Sequence, residues 1–193
     1  MLRMAECAAA DEQLMARYAA GDASAFDALY QRHELKVWRF IQRSVRNQAT
    51  ADELMQDVWF AVARQADRYQ PTARFTTWLF TIAHHRLIDN HRAARPTLSF
   101  DNDAGREVQP LEQLADDAQR EPYQQVLADS SARALLAAVE QLPTEQRVAF
   151  LLQAEGEQSV EEIAATTGVS FETAKSRLRY ARTKLKELLR EHA

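Results

Sequence analysis

The side chains able to do chemistry are few, and they gather where helices would hold them. His84, His85, Asp89 and His91 come nearest to a metal set. On a helix His85 and Asp89 share a face at i,i+4 while His84 points elsewhere, and two ligands do not make a catalytic zinc site. A helical metalloenzyme would carry bound metal on elemental analysis, and the spacing argues against one. Cys7 is the single cysteine and has no histidine partner or surrounding signature. Neither a cysteine nucleophile, an internal disulfide nor a zinc cluster of cysteines is expected. No glycine-rich phosphate loop is present. The residues point away from an enzyme, with no cofactor and no metal.

Binding chemistry is better represented. Arg74-Phe75-Thr76-Thr77-Trp78 opens a segment that continues through His84, His85, Arg86, His91, Arg92 and Arg95. Aromatic groups beside cations suit single-stranded DNA, offering stacking surfaces for bases and charge for the backbone. Phe75, Trp78, Leu79 and Ile82 also have core spacing, so most of them serve packing as readily as stacking.

A second constellation lies near the C-terminus. Ser159 followed by Glu162 forms a capping box that starts a helix at about Val160. Ile163 and Ala164 face inward, and Gly168 stands where a tight turn must follow. Ser170 then caps another helix with an apolar stripe of Phe171, Ala174, Leu178, Ala181, Leu185 and Leu188. Its opposite side carries Glu172, Thr173, Lys175, Ser176, Arg177, Arg179 and Arg182. Such a helix-turn-helix, with hydroxyl and basic groups near the start of its second helix, fits a major groove. The plainer alternative is a helical hairpin with a solvated basic face.

The elements that must position these groups are helical almost throughout. Apolar residues recur at spacings of three and four, and 4 Gly with 5 Pro are too few for an all-β fold. The 193 residues suit one medium domain or two small ones. The chain carries 24 Lys+Arg against 28 Asp+Glu, a net charge of −4, but that sum hides a strong polarity. Three zones follow: residues 11–95, helical; 96–129, an acidic linker with Pro96, Gly105, Pro110 and Pro122; and 130–193, helical with a basic end. The expected fold class is all-α, two small helical domains joined by an acidic linker.

In the first zone Gly21-Asp22 reads as a helix break, and further helices are expected over 35–45, 51–66 and 75–95. On the 51–66 helix, Leu54, Met55, Val58, Trp59, Ala61 and Val62 form one arc. Glu53, Gln56, Asp57 and Arg64 form the other, with Phe60 among them. An exposed aromatic ringed by acids is a protein docking face; the alternative is that Phe60 packs beneath a loop. The N-terminal MLRMAECAAA lacks the long apolar core of a signal peptide, and no apolar run reaches the ~20 residues of a membrane span. The expectation is a soluble cytoplasmic protein, starting at Met1 or Met4.

Taken together, the residues resemble the extracytoplasmic-function sigma factors of bacterial RNA polymerase, within the sigma-70 superfamily, over almost the whole chain. The likeness lies in Gly21-Asp22 with Ala25-Phe26, Glu53-Leu54-Met55-Gln56-Asp57-Val58-Trp59, Phe75-Thr76-Thr77-Trp78-Leu79, and Ile82-Ala83 with Asp89 and Arg92. It continues in Leu142-Pro143, Arg147, Phe150-Leu151-Leu152, Glu162-Ile163-Ala164, Gly168-Val169-Ser170 and Thr173-Ala174-Lys175-Ser176-Arg177-Leu178. The resemblance implies a non-enzymatic factor that binds core polymerase, on the β′ clamp helices and the β flap, and promoter DNA both duplex and single-stranded. It implies docking through Asp52, Glu53, Leu54, Gln56, Asp57 and Phe60. It implies minus-ten contacts from Arg74, Phe75, Trp78, His85, Arg86, Asp89 and Arg92. Minus-thirty-five contacts fall to Ser170, Glu172, Thr173, Lys175, Ser176, Arg177 and Arg179, and the linker corresponds to a connector near the active centre. The rival reading is a stand-alone helix-turn-helix regulator whose N-terminal helices sense a ligand or dimerise.

The sequence departs from the family at two places. His85 stands where members commonly have Asn, which bears on promoter preference. Thr50-Ala51-Asp52-Glu53 stands where an acidic run is common, so a hydroxyl replaces the first carboxylate. Thr50 with Glu53 makes a capping box in the simpler reading. In the sharper one, a Ser/Thr kinase phosphorylates Thr50 and restores the charge. An anti-sigma factor is the other expected means of control.

Overall fold

Gly21 sets the first turn of the fold. Its φ of +99° is open to glycine at little cost, and it lets the chain reverse after helix α1, Asp11–Ala19. Asp22 then caps helix α2, Ala23–Val45, by accepting from the Ser24 N–H at 3.1 Å, while Arg17 pairs with the same carboxylate at 2.7 Å. The computed structural model describes residues 10–93 and 130–190; the acidic stretch expected over 96–129, Cys7 and Arg95 lie outside it.

Helix α2 is one continuous rod, not a helix beginning near Leu35. Its buried face runs Ala25, Leu29, His33, Val37, Phe40, Ile41 and Ser44. The polar His33 is kept in that stripe by Asp11, whose Oδ2 lies 2.8 Å from Nε2 and whose other oxygen meets Arg32. Burial pushes the Asp11 carboxyl up, but the hydrogen bonds and charges of His33 and Arg32 outweigh it and hold it below its ordinary value.

Helix α3, Gln48–Arg64, starts earlier than its apolar pattern predicts. Asn47, not Thr50, is its cap: the Asn47 side chain accepts from the Thr50 N–H at 2.9 Å, which places Thr50 inside the first turn. Leu54, Met55, Val58, Trp59, Ala61 and Val62 are all buried, as the wheel predicts. A 3-10 turn over Ala66–Arg68 leads through Tyr69 to helix α4, Phe75–Ala93. The four helices pack α1 on α2, α2 on α3 and α3 on α4.

The second half comprises α5, Ser130–Glu140; α6, Thr144–Ala154; α7, Val160–Thr167; and α8, Phe171–Arg190. Helix α8 is the hub, laid against α5, α6 and α7 through Ala174, Leu178, Ala181, Leu185 and Leu188. Phe171, expected in that stripe, is exposed instead. Buried Arg147 reaches the carbonyls of Glu140 and Leu142 and so closes the α5–α6 turn. Among the described residues there is no strand, and no helix is long and apolar enough to cross a membrane.

Candidate nucleic-acid interface

The helix-turn-helix forms as its sequence dictates. Ser159 accepts from the Glu162 N–H at 3.2 Å and Glu162 accepts from the Ser159 N–H at 2.8 Å, so two donors of the α7 start are satisfied reciprocally. Gly168, at φ +67°, closes α7, and the Ser170 hydroxyl accepts from the Thr173 N–H at 3.2 Å to open α8. Ser170, Glu172, Thr173, Lys175 and Arg179 are exposed on one side of α8. Lys175 pairs with Glu172 at 3.7 Å and lies over the Phe171 ring, and Arg179 lies over Tyr180. Ser176 and Arg177 are half-buried, and the Arg177 guanidinium is held by Glu145 of α6. The start of α8 is thus a basic, hydroxyl-rich edge open to solvent, as a groove-reading helix needs.

On α4 the candidate minus-ten groups divide. His85, Asp89 and Arg92 form an exposed line, with Arg86 half-buried beside it. Phe75 is 0% exposed, so it belongs to the core rather than to a base platform. It packs with Tyr69 and Trp78, whose rings are 4.9 Å apart, and of the predicted pair only the half-buried Trp78 can offer a stacking face. Burial, with Glu12 and Asp11 nearby, pushes the Tyr69 phenol up to about 12. Arg74 is exposed but engaged, donating to the Glu157 carbonyl at 3.2 Å. His84 is buried whereas His85, Asp89 and His91 are exposed, and among the described residues these groups do not converge on a metal-holding cluster. Burial, then the proximity of His85 and Arg177, lowers the His84 imidazole to about 4.

Helix α3 presents Glu53, Gln56, Asp57 and Phe60 outward, with Phe60 66% exposed. That resolves the choice left by the sequence in favour of an open aromatic. Leu54 belongs to the core, not to this surface, and Asp52 is turned toward α2, accepting from the Trp38 indole at 3.1 Å. Sequence reasoning missed the polar groups that join the two halves, Glu155, Glu157 and Thr81 among them, because their partners are far away along the chain.

Comparison with known proteins agrees with this geometry. Residues 29–97 match sigma-70 region 2 and residues 132–185 match sigma-70 region 4. RNA polymerase sigma factor CarQ of Myxococcus xanthus is 36% identical over 92% of this chain and 96% of its own length. ECF RNA polymerase sigma factor SigM of Mycobacterium tuberculosis is 32% identical over 93% of this chain and 84% of its own. Among solved structures, CnrH in complex with the cytosolic domain of CnrY has a similar fold, with a TM-score of 0.65 at 24% identity over 96% of this chain and 100% of that one. Sigma factor RpoE in complex with the anti-sigma factor NepR from Bartonella quintana gives a TM-score of 0.57 at 23% identity, over 84% and 96% respectively.

Proposed function

The chain belongs to the extracytoplasmic-function sigma factors of the sigma-70 family and directs transcription initiation; from that premise we propose which of its surfaces do the work. Residues 11–95 form the domain that docks on core polymerase and reads the minus-ten element, 96–129 the acidic linker, and 130–193 the domain that reads the minus-thirty-five element. Glu53, Gln56, Asp57 and Phe60 of α3 meet the polymerase. Arg74, Trp78, His85, Arg86, Asp89 and Arg92 meet the opened strand. Ser170, Glu172, Thr173, Lys175, Ser176, Arg177 and Arg179 meet the duplex. The observation that carries the reading is the outward Phe60, a large apolar ring left in solvent beside Asp57 on a helix whose other large apolar side chains, Leu54, Met55, Val58, Trp59 and Val62, are buried. Transcription reconstituted from core polymerase, a promoter and this chain tests it; a chain that initiates no RNA and ignores core polymerase in every phosphorylation state ends it.

Control through Thr50 is part of the same proposal. The first turn of α3 contains no acidic side chain, and Asn47 already serves as the cap. The positive end of the helix therefore lacks the charge that would complement it. A phosphate on Thr50 would add about −1.5 to −2 there, next to the docking surface. A Ser/Thr kinase would then set polymerase affinity. Thr50→Asp is expected to bind core polymerase more tightly than Thr50→Ala; equal binding by the two would leave control to an anti-sigma factor or to expression.

A further inference from the structure

The first turn of α8 exposes a side chain that its pattern assigns to the core. Phe171 opens the helix one and two turns before buried Ala174 and Leu178, yet its ring is 40% exposed. Val169, just upstream, packs on the core while Phe171 stays outside it. Lys175 lies over the ring, with Nζ 5.6 Å from the centroid, and Glu172 holds the same ammonium at 3.7 Å. Ser170, Glu172, Thr173 and Lys175 share the exposed edge, so a large apolar group stands among hydroxyls and charges. The fold gains little from an aromatic ring left in water.

Its place decides what the ring can meet. In a helix-turn-helix the N-terminal residues of the second helix contact base edges in the major groove. Most groups displayed there are hydrogen-bond donors and acceptors, and the C5-methyl of thymine is the apolar one. A phenyl ring satisfies no strong donor or acceptor, but it can remove a methyl group from water. We propose that Phe171 is a specificity-determining residue of the duplex interface and selects a thymine by packing against its C5-methyl. Lys175, beside the ring, meets the backbone, so one turn of helix carries a salt-dependent contact and a salt-independent one. A protein surface is the competing occupant, and the basic, hydroxyl-rich edge around Phe171 complements phosphate better. The inference rests on the reading of α8 as the duplex-reading helix, and it adds an apolar contact to a polar set.

Deoxyuridine differs from thymidine by that methyl group, so the test alters the DNA and leaves the fold untouched. Holoenzyme reconstituted from core polymerase and the unaltered chain selects a minus-thirty-five element from a randomised duplex. Each thymine of the element, on either strand, is then replaced singly by deoxyuridine. At one thymine the replacement is expected to weaken binding about fourfold, the worth of one buried methyl group. Phe171→Ala should bind the thymine and uracil duplexes alike, and Phe171→Leu should keep part of the preference. The slope of log affinity against log salt should be unchanged in Phe171→Ala. An element without thymine, or one whose thymines can all be replaced without loss, overturns the assignment. A preference that persists in Phe171→Ala overturns it too, by giving the methyl to another residue. So does a smaller salt slope, which would make the ring a support for Lys175, or a loss of affinity for core polymerase without DNA, which would make it a protein contact. Initiation by the unaltered chain on the selected promoter tests the underlying function separately: its failure ends that reading, whereas initiation with no response to uracil ends this one alone.

Discussion

Glu12 accepts the backbone N–H of Phe75 at 2.8 Å, so helix α1 caps helix α4 from 63 residues away. That N–H would otherwise be an unpaired donor at a buried helix start. Glu12→Ala is expected to destabilise the protein by about 1 kcal/mol. Thermal denaturation should show a fall in Tm of roughly 2–4 °C, and Glu12→Gln, which keeps an acceptor oxygen, should fall less.

Phe60 offers the reverse case, an apolar ring that stability does not need. It is 66% exposed, so Phe60→Ala should leave thermal unfolding unchanged. Affinity for core polymerase is expected to fall about 30-fold, the roughly 2 kcal/mol of an interface anchor. Equal affinity in a binding titration would remove Phe60 from the docking surface.

Lys175 and Arg179 stand exposed on α8, and each is expected to meet backbone phosphate. Replacing either with Ala should weaken binding of the second half to minus-thirty-five duplex in all sequences. The slope of log affinity against log salt should shrink by about 0.9 for each phosphate that is no longer neutralised. A vanished sequence preference with an unchanged slope would instead make the residue a base reader.

The His84 imidazole has an ordinary value of 6.5 and a folded one of about 4, chiefly through burial, with His85 and Arg177 adding to it. Between those values the unfolded chain binds a proton that the folded chain refuses. Stability is therefore complete above pH 6.5, declines as pH falls toward 4, and levels off below it. The loss from this group is on the order of 3 kcal/mol. Urea unfolding across that range should show the decline, and His84→Gln should remove His84's share of it.

Local patterns carried most of this fold into the sequence. Ser159 with Glu162, Gly168 and Ser170 are separated by a few residues, and their partners are their own backbone neighbours, so the helix-turn-helix is legible by spacing alone. Helix α2 is less legible because polar His33 occupies a core position between Leu29 and Val37, and Asp11, the carboxylate that hydrogen-bonds it there, lies 22 residues earlier. At the start of α3 the pattern of Thr50 with Glu53 suggests a cap, but Asn47, three residues upstream, is the residue that caps the helix. Phe75 and Trp78 have the same composition signal for stacking and for packing, so only their burial separates them. The contacts of Glu155 and Glu157 bridge 112 and 121 residues, beyond any periodicity.

Gly156 concentrates these long-range demands in one position. A β-carbon there would lie 2.7 Å from the Leu152 carbonyl oxygen and 3.2 Å from the Phe80 ring. The first obstacle is backbone and the second is a fully buried aromatic packed on Phe40, so neither can give way cheaply. Gly156→Ala is expected to cost about 1–3 kcal/mol, the range for overpacking a tight contact. Because the ring belongs to the first half and the glycine to the second, part of that cost falls on their association. Gly156→Ala should therefore enlarge the hydrodynamic radius of the free chain, measured well below its unfolding temperature, as well as lower its midpoint in urea. A lower midpoint with an unchanged radius would place the whole cost on the Leu152 carbonyl, inside the second half.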